Sequence, residues 1–396
     1  MRGFKTIKKQ PTQPQSQPQY EVADVLNKLG SKLEDLGLNS WQLRTLFALK
    51  KCRTSALGGH IDACDECGNI SISYNSCRNR HCPKCQGKNR EKWIGMRENE
   101  LLPVPYFHVV FTLPDVLNKT ALHEPKMLYD ILFESAWETL QTFGKNKNLQ
   151  MGMIAVLHTW GQNLSLHPHL HCIVPGGGVD ENGAWKNIKN DGKFLFSVKA
   201  LSKVFRAKFC EKLKHQLSLK LNENQENEYE KIRQSLWEKP WVVYAKKPFG
   251  SPKSVVEYLG RYTHKIAISN QRIRKIDAET VTFSYKDYRQ KGIKKQMVLS
   301  HEEFIRRFAM HILPKRFVKI RHYGFLSSTW KREKLKILQQ KLGIQTKEKP
   351  LSKVFQPKCS CCKVGNLVTI ATFDLRGPPQ WFLEMSRNLP APKSAF

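Results

Sequence analysis

Apolar residues recur at helical spacing from residue 21 to 36, where Val22, Val25, Leu26, Leu29, Leu33 and Leu36 fall on one stripe. A second helix is expected after Ser40, read as its N-cap, with Trp41, Leu43 and Leu46 on its buried side. From residue 104 the pattern changes. PYFHVVFTLP predicts a strand closed by Pro114, and residues 122–143 predict a helix carrying Leu128, Ile131, Leu132, Trp137 and Leu140. MIAVLHTW and HLHCIV predict two strands, with NLSLHP as the hairpin loop between them. PGGGVDENGAW reads as turns, because its glycines lack the Lys-Ser/Thr of a phosphate-binding loop. FLFSV predicts a short strand, followed by helices near 199–221 and 225–237 and the strand WVVYAK. Next comes VVEYLGRYTHK, residues 255–265, where Val255, Val256 and Leu259 make a helical stripe that starts near Ser251 and Pro252. AISNQRIRKI, TVTFSYKDYR and KKQMVLS predict a small antiparallel β-unit. HEEFIRRFAMHIL predicts a helix with Phe304, Phe308 and His311 along one side, and a Lys-rich helix is expected near 329–342. This order suits an α+β fold, an antiparallel sheet flanked by helices.

Candidate chemistry sits on two of these elements. HTWGQNLSLHPHLH spans residues 158–171 and holds His158, His167, His169 and His171. On a strand His169 and His171 share a face while Leu170 points the other way. His158, Trp160 and Gln162 share a face of the preceding strand, so His158 or Gln162 could complete a three-ligand cation site with the histidine pair. Tyr258 and Tyr262 are one turn apart on their helix, with Arg261 and Lys265 beside them. Paired tyrosines among basic residues, in a chain with a histidine cluster, suggest a tyrosine nucleophile acting on a phosphodiester. A phenol has a pKa near 10 and needs activation or a strongly polarised electrophile, which a cation on the phosphate can supply.

Charge adds a partner. Lys and Arg number 66 against 34 acidic residues, a formal net charge of +32 that implies a polyanion, since each neutralised phosphate releases counterions. No apolar run is long enough to span a membrane, and no apolar core follows the basic N-terminus as in a secretory signal, so a cytoplasmic, nucleoid-associated protein is expected. Residues 1–20, rich in Gln and Pro, are expected to be disordered. Six of the eleven cysteines fall between residues 52 and 85, a density that points to structural zinc. The knuckles Cys64/Cys67 and Cys82/Cys85 are paired as one site, and Cys52, His60, Cys77 and His81 as a second. Arg78, Arg80 and Lys84 interleave with them as a DNA-facing surface. CSCC at 359–362 could ligate a further zinc but has no evident partner pair.

HPHLH resembles the His-hydrophobic-His motif of the HUH endonucleases, which cut single-stranded DNA through a tyrosine. EYLGRYTHKIAISNQRI, together with GGHIDACDECG, YNSCRNRHCPKCQG and FIRRF…RHYGFLSS, resembles the two-tyrosine transposases of rolling-circle insertion sequences, the group named after insertion sequence ninety-one. The match runs from about residue 21 to 340. It implies a zinc-binding DNA-binding domain over 21–100, an HUH nuclease domain over 101–340 and an extension over 341–396. It further implies catalytic Tyr258 and Tyr262 and a catalytic Mg²⁺ or Mn²⁺ beside one or two structural zinc ions. The partners would be single-stranded DNA at the element's ends, target DNA, and a host helicase and polymerase. His158 is preferred as third ligand, since its spacing to His169 is similar to that in conjugative relaxases; Gln162 is the runner-up because other HUH enzymes use Gln or Glu. The competing readings are a relaxase or replication initiator with the same chemistry, and a non-catalytic zinc-dependent DNA-binding regulator.

Overall fold

The computed structural model describes residues 18–86, 93–97, 100–188, 195–219, 223–246, 252–343 and 357–387. The expected disordered tail therefore lies outside the described residues, save for its last three positions. The first helical stripe is divided. Helix α1 (Val22–Leu29) stops where Gly30 takes a φ of 55°, and a 3₁₀ turn carries the chain on to Leu36. A left-handed φ costs glycine little, so the break falls there. Helix α2 (Ser40–Lys50) is capped by Asn39 rather than Ser40: the Asn39 side chain accepts the Gln42 N–H at 2.9 Å. A hairpin follows, β1 (Gly59–Cys64) and β2 (Ile70–Tyr74).

The centre is a five-stranded antiparallel sheet. Its first strand is β3 (Tyr106–Thr112), followed by helix α3 (Pro125–Lys145) and the long hairpin β4 (Gly152–Trp160) and β5 (Leu166–Pro175). The glycine-rich stretch forms a small hairpin, β6 (Gly177–Val179) and β7 (Trp185–Asn187), where only turns were expected. A Cβ on Gly177 would lie 2.2 Å from the Lys186 carbonyl, so the paired backbones need glycine. The expected strand FLFSV does not form in its described part. Leu195 and Phe196 are buried in the main core and Val198 opens helix α4 (Val198–Ser218). Strand β8 (Val243–Lys246) leads to helix α5 (Pro252–Thr263). The expected β-unit is the sheet β9 (Ile273–Ile276), β10 (Thr280–Asp287) and β11 (Ile293–Ser300), followed by helix α6 (His301–Ala309). Strand β12 (Ile320–Gly324) returns to the edge of the central sheet, whose order is β12-β4-β5-β3-β8. The chain beyond adds β13 (Leu367–Phe373), which joins β1.

Alternation decides the faces of the central sheet. Phe107, Val109 and Phe111 of β3, Met153, Ala155 and Leu157 of β4, and Leu170, Cys172 and Val174 of β5 enter one core with α3 and α4. Each large apolar side chain buried there contributes about 1.5–3 kcal/mol. The opposite face holds the histidines, with Tyr106, Ile154 and Ile173 in smaller clusters beside them. A second core joins distant parts of the chain. Val22, Leu26, Leu33 and Leu46 pack with Phe283, Phe304 and Phe308, so α1 and α2 seat on the β9–β11 sheet and α6. In the segment leading through β12, Phe317 and Phe325 are buried, and Tyr323 stacks on Trp137 at 5.2 Å. Among the described residues no helix is long and apolar enough to cross a membrane.

Candidate functional site

Register builds the histidine cluster. Strands β4 and β5 pair so that His158 stands directly opposite His169, and period two returns His171 to the same face. One ligand atom from each of His158, His169 and His171 lies within 4.8 Å of the others. Each ring already spends one nitrogen. His169 Nδ1 donates to the His167 carbonyl at 2.6 Å, and His158 Nε2 donates to the Tyr262 carbonyl at 2.8 Å. His171 Nδ1 is 2.9 Å from His108 Nε2. Such bonds fix tautomer and orientation and leave the other nitrogen of each ring for a cation, so the donor set fits a divalent ion. Gln162, the runner-up ligand, lies in the turn past the end of β4, where its carbonyl accepts from Arg272. His167 supplies only its backbone to His169 among these bonds.

Electrostatics keep these rings neutral. Desolvation pushes His169 and His108 down to about 4, with Lys246 acting on His108. His158 and His171 are held far below the ordinary histidine range, first by burial and then by neighbouring histidines and Lys319. A neutral imidazole keeps its lone pair, which a cation requires. Trp160 stacks on His158 at 4.5 Å, and the Lys319 ammonium lies 5.2 Å above Trp160. Burial pushes Lys319 down to about 7.

Helix α5 lies over this face. The Tyr262 ring sits 4.1 Å from His171, and the Tyr262 and Tyr258 hydroxyls are 3.0 Å apart. Tyr258 Oη is also 3.3 Å from His108 Nδ1. Both tyrosines are half-buried and carry a lysine near the ring: Lys246 5.6 Å above Tyr258, Lys265 5.7 Å above Tyr262. His108 thus bridges His171 and Tyr258, and sequence reasoning passed over it as one residue of an apolar strand. The side chain of Arg261 lies outside the described residues.

The zinc pairings need correction. Cys82 and Cys85 group with Cys52 and Cys77, and Cys64 and Cys67 group with Cys359 and Cys362. The reason is the β1–β2 hairpin. Cys64 and Cys67 sit at its turn, while Cys52 and Cys77 flank its open end, a strand length of roughly 16 Å away at about 3.3 Å per residue. Neither histidine joins a cysteine group. His60 Nε2 pairs with Asp62 at 3.3 Å, and half-buried His81 accepts the Leu313 N–H at 3.3 Å. Nor do two of the expected DNA-facing cations point to open solvent. Arg80 donates to the carbonyls of Pro314 and Phe317, and Lys84 to the Cys52 carbonyl and Glu21. Arg78 is exposed.

The profile of a family described as "Putative transposase" matches residues 152–334, and that of a "Transposase zinc-binding domain" matches residues 24–113. The Cys52/Cys77/Cys82/Cys85 group falls wholly within the latter. The curated "Putative transposase y4qJ" of Sinorhizobium fredii (strain NBRC 101917 / NGR234) is 41% identical over 388 residues, covering 91% of this chain and 97% of that protein. The "Transposase for insertion sequence element IS801" of Pseudomonas savastanoi pv. phaseolicola is 31% identical over 306 residues, covering 75% of this chain and 73% of that protein. No solved structure matches the chain.

Proposed function

The chain belongs to the IS91-type transposases, and on that footing we propose that it cuts and joins single-stranded DNA through a 5′-phosphotyrosine, supporting rolling-circle transposition. The observation that carries this reading is the meeting of two tyrosine hydroxyls, 3.0 Å apart, over a face where three histidines offer free nitrogens. A divalent cation (Mg²⁺ or Mn²⁺) held by His158, His169 and His171 would neutralise charge on the scissile phosphate and polarise it for in-line attack.

Proton positions follow from the hydrogen bonds. His171 carries its proton on Nδ1 and donates it to His108 Nε2, a tautomer that would leave Nε2 to hold a cation. His108 then holds its own proton on Nδ1, facing Tyr258 Oη, while the Tyr262 hydroxyl donates to that same oxygen. Two donors converging on one phenol oxygen fix its position over the histidine face. Tyr258 is therefore the first nucleophile in this account. Its oxygen gives up its proton to water and bonds to phosphorus, the P–O3′ bond breaks, and the 3′ oxygen leaves with a proton from water as a free 3′-OH. The phosphotyrosine conserves the bond energy, so a later attack by a 3′-OH rejoins strands without ATP. Tyr262 serves the second cut. Lys246, Lys265, Lys319 and exposed Arg78 supply positive charge for the strand's backbone, and a host helicase and polymerase supply the displaced strand.

The test is a denaturing gel of purified protein with oligonucleotides from the element's ends. A covalent band requiring Mn²⁺ or Mg²⁺, and absent in the Tyr258→Phe/Tyr262→Phe double variant, is expected. Tight binding with no band under any metal condition would favour the non-catalytic regulator.

A further inference from the structure

The C-terminal strand β13 lies against β1 from Gly59/Phe373 to Cys64/Leu367, which makes it the third strand of the N-terminal hairpin's sheet. At the end of that ladder two C-x-x-C turns face each other, Cys64–Cys67 and Cys359–Cys362. Cys64 Sγ is 3.7 Å from Cys362 Sγ, and Cys67 Sγ is 3.8 Å from Cys359 Sγ. A tetrahedral zinc with Zn–S bonds of about 2.3 Å sets its sulfurs about 3.8 Å apart, whereas a disulfide brings them to about 2.05 Å. The observed spacing is that of ligands.

The backbone is shaped around these sulfurs. Each turn ends on a residue in the left-handed region, Gly68 at φ 66° and Lys363 at φ 62°. The Cys67 N–H points at Cys64 Sγ (3.5 Å), the Cys361 N–H at Cys359 Sγ (3.3 Å) and the Gly365 N–H at Cys362 Sγ (3.3 Å). A Cβ on Gly365 would sit 2.4 Å from Cys64 Sγ, so this approach is open only to glycine. Asp65 locks the two turns together, accepting from the Asn366 N–H at 2.6 Å and Nδ2 at 3.1 Å.

We propose that Cys64, Cys67, Cys359 and Cys362 hold a second structural zinc ion, which clasps the C-terminal strand onto the N-terminal hairpin. Two of its ligands lie far beyond residue 113, where the match to the zinc-binding domain ends. Four cysteine ligands close the coordination shell, so the ion has no open position for chemistry. Its role is to unite residues nearly 300 positions apart. Without it, β1 would lose the strand that covers its edge. The clasp is independent of the reading at the histidine face, because it shares no residue with that face.

Plasma mass spectrometry of the full chain counts the metal. Two zinc ions per wild-type chain are expected, with one remaining after Cys359→Ser/Cys362→Ser or Cys64→Ser/Cys67→Ser, and two retained by the control Cys361→Ser. Hydrogen exchange in the Cys359→Ser/Cys362→Ser variant should rise across 367–373 while strands 106–112 and 166–175 keep their protection. One zinc in the wild type, iron in its place, or two zinc ions in Cys359→Ser/Cys362→Ser would overturn the proposal. Should the variants fail to fold, cobalt substitution of the wild type decides. Two all-thiolate cobalt spectra per chain support the clasp, and one refutes it.

Discussion

Removing the His108 imidazole severs the link between His171 Nδ1 and Tyr258 Oη while leaving the three-histidine cradle in place. Loss of a bond that orients a metal ligand typically costs about 10–100-fold in activity or metal affinity. His108→Ala should therefore slow covalent adduct formation by that factor with DNA affinity unchanged. An unchanged rate would remove His108 from the account. Single tyrosine variants separate the two roles. Tyr258→Phe should abolish the first cut, and Tyr262→Phe should retain it but lose the second, as followed on end-labelled oligonucleotides. Much of this site was legible in residue spacing. Two histidines at i and i+2 on one strand and His158 on the next need only antiparallel pairing to meet. His108 was not legible in that way. It stands between Phe107 and Val109, both buried in the main core, and only the register of β3 against β5 brings it beside His171.

Strand β12 ends at Gly324, whose φ is 58° and where a Cβ would lie 1.8 Å from the Met151 carbonyl. Gly324→Ala meets a disfavoured backbone and a clash, and should destabilise the fold by at least roughly 2 kcal/mol in denaturant titration. A neutral result would mean that the turn between β12 and the chain beyond adapts. The segment entering β12 also carries Lys319, lowered from 10.5 to about 7 by burial. A bound phosphate favours the charged form, so strand binding should take up protons above pH 7 and weaken as pH rises through that value. Lys319→Met should bind more weakly at about pH 6 and show a flatter pH profile; an unaltered profile would place Lys319 away from the strand. Element existence followed closely from periodicity, and boundaries followed less well. Gly30 broke an otherwise continuous apolar stripe, and Leu195 and Phe196, apolar enough to read as strand, are buried at the approach to α4.

The whole chain carries a net charge of +32, and its single-strand affinity should fall linearly with the logarithm of salt. Each contacted phosphate adds about 0.7 to that slope, so a slope steeper than about −3, or roughly four phosphates, is expected. A slope shallower than about −1 would contradict an extended backbone contact. What the chain concealed is how its ends return to each other. α1 and α2 pack on a sheet formed after residue 270, and the Cys64/Cys67 knuckle finds its partners at Cys359 and Cys362. Ligand types were readable from composition, but eight candidates in one short stretch admit many pairings. Only the length of the β1–β2 hairpin separates the knuckles that seemed natural to join.

A covalent bond between a tyrosine oxygen and DNA is the central prediction. The covalent complex formed with an end-derived oligonucleotide should be digested to peptides and mapped by mass spectrometry. The predicted result is a 5′-nucleotide remnant on Tyr258, formed only with Mn²⁺ or Mg²⁺ and lost in His169→Ala/His171→Ala. Cleavage that proceeds in chelator, or a remnant on a residue outside Pro252–Thr263, would contradict it.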